Sequence, residues 1–146
     1  MRLEPLYRVR FAYPEDWAVE VAGEGGIQEQ HFYIAEGRCE GVIAGRLRGA
    51  NHPQRRTDHA YVPDFQGVIE TDDGTTVFFD MHGYGRAYPL GRRQIVVSVM
   101  HLADDERYRR LNDVICVGTG EVRAPDRGAT ELVIDVAELI WEPIAE

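Results

Sequence analysis

The stretch of residues 65–85 most constrains the fold, because it places an Asp72-Asp73-Gly74 turn between two runs of strand-forming residues. An Asp-Gly pair readily adopts the positive φ angles of a tight hairpin, and Thr, Val, Ile and Phe suit a pleated, half-buried strand. The stretch therefore predicts a β-hairpin. A two-residue turn at Asp73-Gly74 would pair Glu70 with Val77 and Val68 with Phe79.

Apolar and polar residues alternate with period two along most of the remaining chain, and this pattern predicts further strands. Beyond the hairpin, the predicted strands cover residues 7–13, 17–21, 28–34, 38–47, 94–101, 114–122 and 130–141. Pro14 is expected to end the first of them, residues 50–64 to form a long loop, and residues 103–111 to form the one short helix. We therefore predict an all-β fold, an antiparallel barrel of roughly 8–10 strands, built as a single domain over residues 1–146.

Charge and composition exclude several classes of function. The chain has 25 acidic and 16 basic residues, a net charge of −9, which disfavours nucleic acid and anionic membranes as partners. Every basic residue is Arg, so a Schiff-base or general-base Lys is excluded. Cys39 and Cys116 are expected to be reduced and packed, and the absence of a long apolar run predicts a cytoplasmic protein.

The second arm of the hairpin carries Asp80 and His82, an acid and an imidazole two residues apart on one face. If the following turn centres near Tyr88, Asp80 faces Val96 and His82 faces Gln94. Two arrangements stay open. The mixed face could line a ligand cavity, with Asp80 orienting His82 for proton transfer and with Phe78 and Ser98 beside them, or the dry face could fill the barrel and leave these residues in solvent.

The loop 50–64 supplies a second group of candidates. Asp58 and Tyr61 could act as an opposite proton relay over a barrel mouth, with His59 contacting a ligand and Arg86 anchoring it. The same pairing places His101 about 20 Å from His82 at roughly 3.3 Å per residue, so His101 is expected to pack against the helix instead.

Metal and cofactor sites are not predicted. Asp80 and His82 could gather His31, His52 or His59 around a metal, but the chain has no His-x-His pair or other established ligand spacing. It also lacks a nucleophile elbow, a phosphate-binding loop and a dinucleotide fingerprint. We therefore expect cofactor-free chemistry.

Three short motifs, in this order and spacing, resemble a known bacterial family. They are Gly41-Val42-Ile43-Ala44-Gly45 leading to Asp58, Thr71-Asp72-Asp73-Gly74-Thr75, and Tyr108-Arg109-Arg110-Leu111-Asn112 running into Val117-Gly118-Thr119-Gly120. Together they resemble domain of unknown function 3237. The resemblance implies a calycin-like barrel with an internal cavity, often oligomeric, without a family-wide reaction.

These observations lead to one functional expectation and two alternatives. We expect a barrel that binds a small, largely apolar metabolite and acts as a lyase, isomerase or cyclase by proton transfer, with His82 as acid or base. The alternatives are a carrier or sensor with the same cavity, and a structural subunit of a homo-oligomer.

Overall fold

A computed structural model describes residues 1–86, 93–124 and 130–146. These residues form ten β-strands and one short 3-10 helix. The strands are β1 Arg2–Gly23, β2 Gly26–Gly41, β3 Gly45–Asn51, β4 Gln54–Arg55, β5 Tyr61–Val62, β6 Asp64–Thr71, β7 Thr76–Arg86, β8 Gln94–Leu102, β9 Cys116–Arg123 and β10 Glu131–Ile140, and the helix is Arg109–Asp113.

Eight of the strands close into a ring. The order is β1-β10-β9-β8-β7-β6-β3-β2, with β2 pairing back to β1, and every pair is antiparallel. The predicted loop over residues 50–64 contains the two short strands β4 and β5, which extend the sheet from the end of β7. The predicted all-β antiparallel barrel is confirmed, and closure of the ring removes the free edges that an open sheet would expose.

Within the ring of eight strands, the apolar residues that point inward form the core. On β7, for example, Val77, Phe79 and Met81 are at most 3% exposed. Close packing also needs a residue without a side chain on β3, because a Cβ atom at Gly49 would lie 2.9 Å from the ring of Phe65 and 3.1 Å from that of Phe79. Both cysteines, Cys39 and Cys116, are buried and unbridged.

The hairpin registers differ from those predicted. Val68 pairs with Phe78 instead of Phe79, because a wider turn replaces the two-residue one. Its geometry depends on Thr71, whose backbone N–H donates to the Thr75 carbonyl at 2.9 Å and whose hydroxyl oxygen accepts from the Thr75 N–H at 2.9 Å. Gly74 then takes the positive φ of 90° that such a turn requires.

The pairing between β7 and β8 also differs. Asp80 faces Met100 and His82 faces Ser98, four residues away from the predicted partners Val96 and Gln94. The turn predicted near Tyr88 lies outside the described residues. Because the shift is an even number of residues, the residues predicted to share a face on β7 and β8 still share it.

Pro14 does not end the first strand. β1 continues through it to Gly23, because Tyr13 and Pro14 lie in a bulge between Ala12 and Glu15, where proline needs no ladder partner. Beyond this bulge β1 and β2 form a two-stranded ribbon, paired from Glu15 and Ile34 to Gly23 and Gly26. We call residues 15–34 the ribbon.

The predicted helix over residues 103–111 is wrong, since only the single 3-10 turn Arg109–Asp113 forms. Asn112 explains this difference. Its side chain donates to the Ala103 carbonyl at 2.8 Å and accepts from the Ala103 N–H at 2.7 Å. Nine residues of α-helix would separate these positions by roughly 13 Å, so the two bonds exclude a helix between them.

Candidate functional site

One end of the barrel opens into a cavity of about 350 Å³. Its walls come from the β1, β6, β7, β8, β9 and β10 strands and are mainly apolar, and phenol, amide and guanidinium groups also line it. The apolar lining residues are Phe11, Phe65, Met81, Ile95, Val97, Val122, Leu132 and Ile134, and the polar ones include Tyr13, Asp16, Tyr33, Asn51, Tyr61, Arg93 and Thr130. Such a cavity, apolar with a few convergent polar groups, is typical of small-molecule sites.

A phenol and an amide form a fixed pair in this cavity. Asn51 is 7% exposed, and its Nδ2 donates to the Tyr13 hydroxyl oxygen at 3.0 Å while its Oδ1 accepts from the Asp64 N–H at 3.1 Å. Burial raises the pKa of Tyr13 to about 12, although the bond from Asn51 works in the opposite direction. Tyr13 is therefore a neutral phenol at pH 7, and its own proton is available to an oxygen of a ligand.

Three further polar groups surround this pair. The Tyr33 ring stacks on that of Tyr13 with centroids 4.4 Å apart. The Arg93 guanidinium carbon lies 4.1 Å from the centroid of the Tyr61 ring, a cation–π contact that places a positive charge at the mouth. The cavity thus offers a hydrogen-bond donor and a cation to the polar end of a ligand.

The sequence-predicted residues lie largely outside this cavity. Of the eight candidate site residues named from the sequence, Tyr61 lines the cavity. The first of the two arrangements left open by the sequence, with the mixed face of β7 and β8 lining a cavity, does not form, because Phe78 is 57% exposed and the side chain of His82 is 53% exposed. Asp80 and Ser98 lie on the same outer face as these two residues, which is the second of the arrangements left open by the sequence.

Asp80 does contact His82, with its Oδ1 2.8 Å from Nε2, and Asp64 on β6 joins them with an oxygen 3.8 Å from Nδ1. Potential ligand atoms of these three residues lie within 4.8 Å of one another, and none of the predicted partners His31, His52 and His59 belongs to the group. Gln66 donates to both carboxylates. Exposed acidic residues gather in this way without a metal, so the absence of a metal site stays a prediction.

Asp58, His59 and Arg86 lie on the outer surface. Arg86 donates to Asp58 at 2.7 Å, and Arg56 donates to the same carboxylate at 2.6 Å. The bond from Arg56 is the main cause that holds the pKa of Asp58 well below its usual range, so this carboxylate is a weak base. His59, with φ of 67°, contacts Arg55 and borders a separate open groove of about 580 Å³ between the ribbon and the 52–59 loop.

His101 lies near the barrel end opposite the cavity. Its Nε2 is 2.7 Å from the Tyr7 hydroxyl, and its Nδ1 is 3.9 Å from the sulfur of Cys116. The predicted 20 Å separation from His82 is wrong, because the β7–β8 register leaves only three residues, roughly 10 Å, between them along β8. The two side chains still belong to different sites, since they lie on opposite faces of the sheet.

Sequence reasoning missed Tyr13, Tyr33 and Asn51, and it chose Arg86 over Arg93 as the anchor of a ligand. Tyr13 and Tyr33 lie in segments predicted as strands, but the residues that surround the cavity come from strand ends far apart in the chain. A buried amide between strand and loop, such as Asn51, gives no periodic signal. The polar residues around the cavity could have been found only from the order in which the strands pair in the barrel.

The chain belongs to the family described as protein of unknown function (DUF3237), whose model matches residues 1–139. This confirms the resemblance carried by the three motifs. No curated protein matches the chain.

Solved structures share this fold at low sequence identity. A β-barrel-like protein from Acinetobacter baumannii is 17% identical with a TM-score of 0.75, and 94% of each chain is covered. A protein of unknown function from Clostridium acetobutylicum is 12% identical with a TM-score of 0.78, covering 96% of this chain and 100% of that one. A protein described as an enzyme, from Penicillium herquei, is 18% identical with a TM-score of 0.63, covering 92% and 93%.

Within the part of the chain that the structure describes, no helical segment has the length and apolar character needed to cross a bilayer.

Proposed function

We propose that this protein binds a small, largely apolar molecule in the barrel cavity and catalyses a cofactor-free proton transfer on it, as a lyase, isomerase or cyclase does. One observation carries the proposal. An aromatic and aliphatic cavity of about 350 Å³ contains a buried phenol–amide pair, Tyr13 and Asn51, whose phenol proton is available to a ligand.

The size and lining of the cavity support an apolar ligand. A volume of this order falls at the lower end of the range for small-molecule sites, which are mostly apolar with few polar groups. Phe11 and Phe65, whose rings stack at 5.2 Å, form one wall that a planar or hydrocarbon ligand can contact. Arg93 at the mouth would contact a carboxylate or enolate oxygen.

The electrostatics of the pair support proton transfer. A phenol whose pKa is about 12 donates a hydrogen bond at neutral pH without losing its proton. Tyr13 would therefore stabilise negative charge that develops on a ligand oxygen when a neighbouring C–H bond is broken. The Penicillium herquei protein with this fold is described as an enzyme, which favours catalysis over the carrier alternative.

The catalytic roles predicted for His82, Asp80 and Asp58 remain predictions. They would require a ligand on the outer face, whereas the cavity supplies enclosed apolar walls. Tyr61 lines the cavity together with Arg93, which supports a role for it beside a ligand, while its predicted part in a proton relay stays a prediction.

The proposal is tested first by native mass spectrometry of freshly purified protein against its denatured mass. A co-purified small molecule would establish the site and its chemical class. In parallel, the fluorescence of 8-anilino-1-naphthalenesulfonate, an anionic aromatic probe, would be titrated with the wild type and with two matched variants.

The variants are Val97→Phe, which fills the cavity, and Val96→Phe, its outward-facing neighbour on the β8 strand. We expect saturable binding that Val97→Phe weakens at least about tenfold and Val96→Phe leaves unchanged, since roughly 1.4 kcal/mol of lost contact gives that factor. Far-UV circular dichroism would confirm that both variants fold. Equal binding by both variants, or no binding by the wild type, would contradict the proposal.

A further inference from the structure

Three side chains on the β2 strand, Glu29, His31 and Tyr33, follow one another at every second residue and therefore share one face. The Tyr33 hydroxyl lies 3.3 Å from Nδ1 of His31, and an oxygen of Glu29 lies 3.6 Å from Nε2. Tyr33 lines the cavity, whereas Glu29 borders the outer groove. The series thus connects the cavity with the protein surface.

The Glu29 carboxylate beside Nε2 favours one tautomer of His31. A phenol that donates to Nδ1 leaves the imidazole proton on Nε2. Nε2 is buried and makes no hydrogen bond to any residue that the structure describes, and the Glu29 carboxylate is the acceptor next to it. The His31 and Tyr33 rings are parallel within 2°, with centroids 5.8 Å apart, so both are held in place. Carboxylate, imidazole and hydroxyl in this order form the arrangement that activates nucleophiles and bases in enzymes.

We propose that Glu29, His31 and Tyr33 form a proton relay in which Tyr33 is the catalytic acid–base group of the cavity, while His31 and Glu29 act through it. This inference rests on the proposed function, since it names the groups that would move the proton. His31 and Glu29 do not line the cavity and are positioning residues.

Each proton that one group of the relay gives up is taken up by another. The Tyr33 oxygen takes a proton from a carbon of the ligand while its own proton passes to Nδ1 of His31, and the C–H electron pair stays on the ligand as an enolate. Tyr13 donates a hydrogen bond to the enolate oxygen, and Glu29 stabilises the imidazolium. His31 then returns its proton to Tyr33, which protonates the ligand at another carbon, so the net reaction is an isomerisation.

The charged groups around the relay are compatible with these roles. Glu20 lies opposite Glu29 on the ribbon, and donation from its carboxyl group to Glu29 raises the pKa of Glu20. Arg55 also donates to Glu29, at 2.9 Å. These contacts, that from Glu20 first, lower the pKa of Glu29 and keep it a carboxylate.

Tyr33 faces Tyr61, Asp16 and Arg93 as well as Tyr13 and His31. Burial is the main cause that raises the pKa of Tyr33. Tyr33 therefore rests as a neutral phenol, and it needs a base such as His31 in order to take a proton from a ligand.

The relay predicts a coupling that NMR spectroscopy can measure in the intact protein. The Cζ resonance of Tyr33 should show a step in its chemical shift at the pH where His31 titrates. In Glu29→Gln the pH midpoint of the Tyr33 step, and with it that of His31, should fall by roughly half a pH unit or more, because a negative charge near Nε2 is lost. In His31→Gln the step at Tyr33 should vanish.

Two controls separate the relay from a structural role. Glu24→Gln removes the same charge in the exposed turn of the ribbon and should leave the midpoint unchanged, and Tyr84 on the outer face should show no step in any variant. A Tyr33 resonance without a step at the His31 midpoint, or equal midpoints in Glu29→Gln and Glu24→Gln, would overturn the relay. Loss of probe binding to the cavity with this coupling intact would instead overturn the proposed function.

Discussion

At the scale of single residues, burial separates groups of the same chemical type. His101 is 5% exposed at the end of the barrel away from the cavity, and desolvation lowers its pKa to about 4. His82, by contrast, projects from the outer face beside two carboxylates. The sequence shows the same imidazole in both places, and only the surroundings distinguish an inert core histidine from a solvated one.

The low pKa of His101 predicts a pH dependence of stability. In the unfolded chain His101 binds a proton at about pH 6.5, whereas in the folded chain it does so only near pH 4. The folded state, which holds His101 neutral, therefore loses stability as the pH falls through this window. Between pH 7 and pH 4.5, His101 should account for a loss of about 2–3 kcal/mol in the free energy of unfolding. Urea unfolding of the wild type and His101→Gln, whose amide can still bond Tyr7, measures this.

The variant should be less stable at pH 7 but show a flatter pH dependence than the wild type. The same decline in both proteins between pH 7 and pH 4.5 would mean that other groups cause it.

At the scale of elements, the alternation along β7 decides which side chains the barrel contains. Phe78 and Phe79 are adjacent and chemically identical, yet Phe79 is 3% exposed and packs on Phe65 with ring centroids 5.0 Å apart, whereas Phe78 is 57% exposed. The candidate residues Asp80 and His82 follow the outward alternation of Phe78.

A matched pair of substitutions tests this assignment of faces. Phe79→Ala should lower the free energy of unfolding by about 3–5 kcal/mol because it leaves a cavity in the core. Phe78→Ala should change it by about 0.5 kcal/mol or less. Chemical denaturation of the two variants measures the difference, and comparable losses would show that the two faces have been exchanged.

At the scale of the whole molecule, the ribbon projects beyond the ring of eight strands. One of its faces carries Trp17, Val19, Val21 and Phe32, which are 40–65% exposed. An isolated two-stranded ribbon is marginally stable in water, so a partner surface on this face would stabilise it. The homo-oligomer expected from the sequence stays a prediction, in which a second copy of the chain would cover this face.

Light scattering tests the homo-oligomer directly. The wild type should have a mass that is a multiple of 16.6 kDa, and the double substitution Trp17→Ser with Val19→Ser should shift it towards one chain. Val42→Ser, at an exposed apolar residue outside the ribbon, should leave the mass unchanged. A wild-type mass of one chain would exclude the homo-oligomer.

The sequence by itself determined the fold class, the hairpin at Gly74 and the family, because alternation and turn chemistry are local properties that neighbouring residues express together. It also determined which residues of β7 and β8 share a face. The sequence did not determine the registers between paired strands, because a hydroxyl such as that of Thr71 can widen a turn by hydrogen bonds that no sequence pattern reveals. Only closure of the ring decided which face lies inside, and it alone brought Tyr13, Tyr33 and Asn51 from three strands to one cavity. The physical reason is that a site between strands depends on long-range pairing, which the spacing of residues along the chain does not encode.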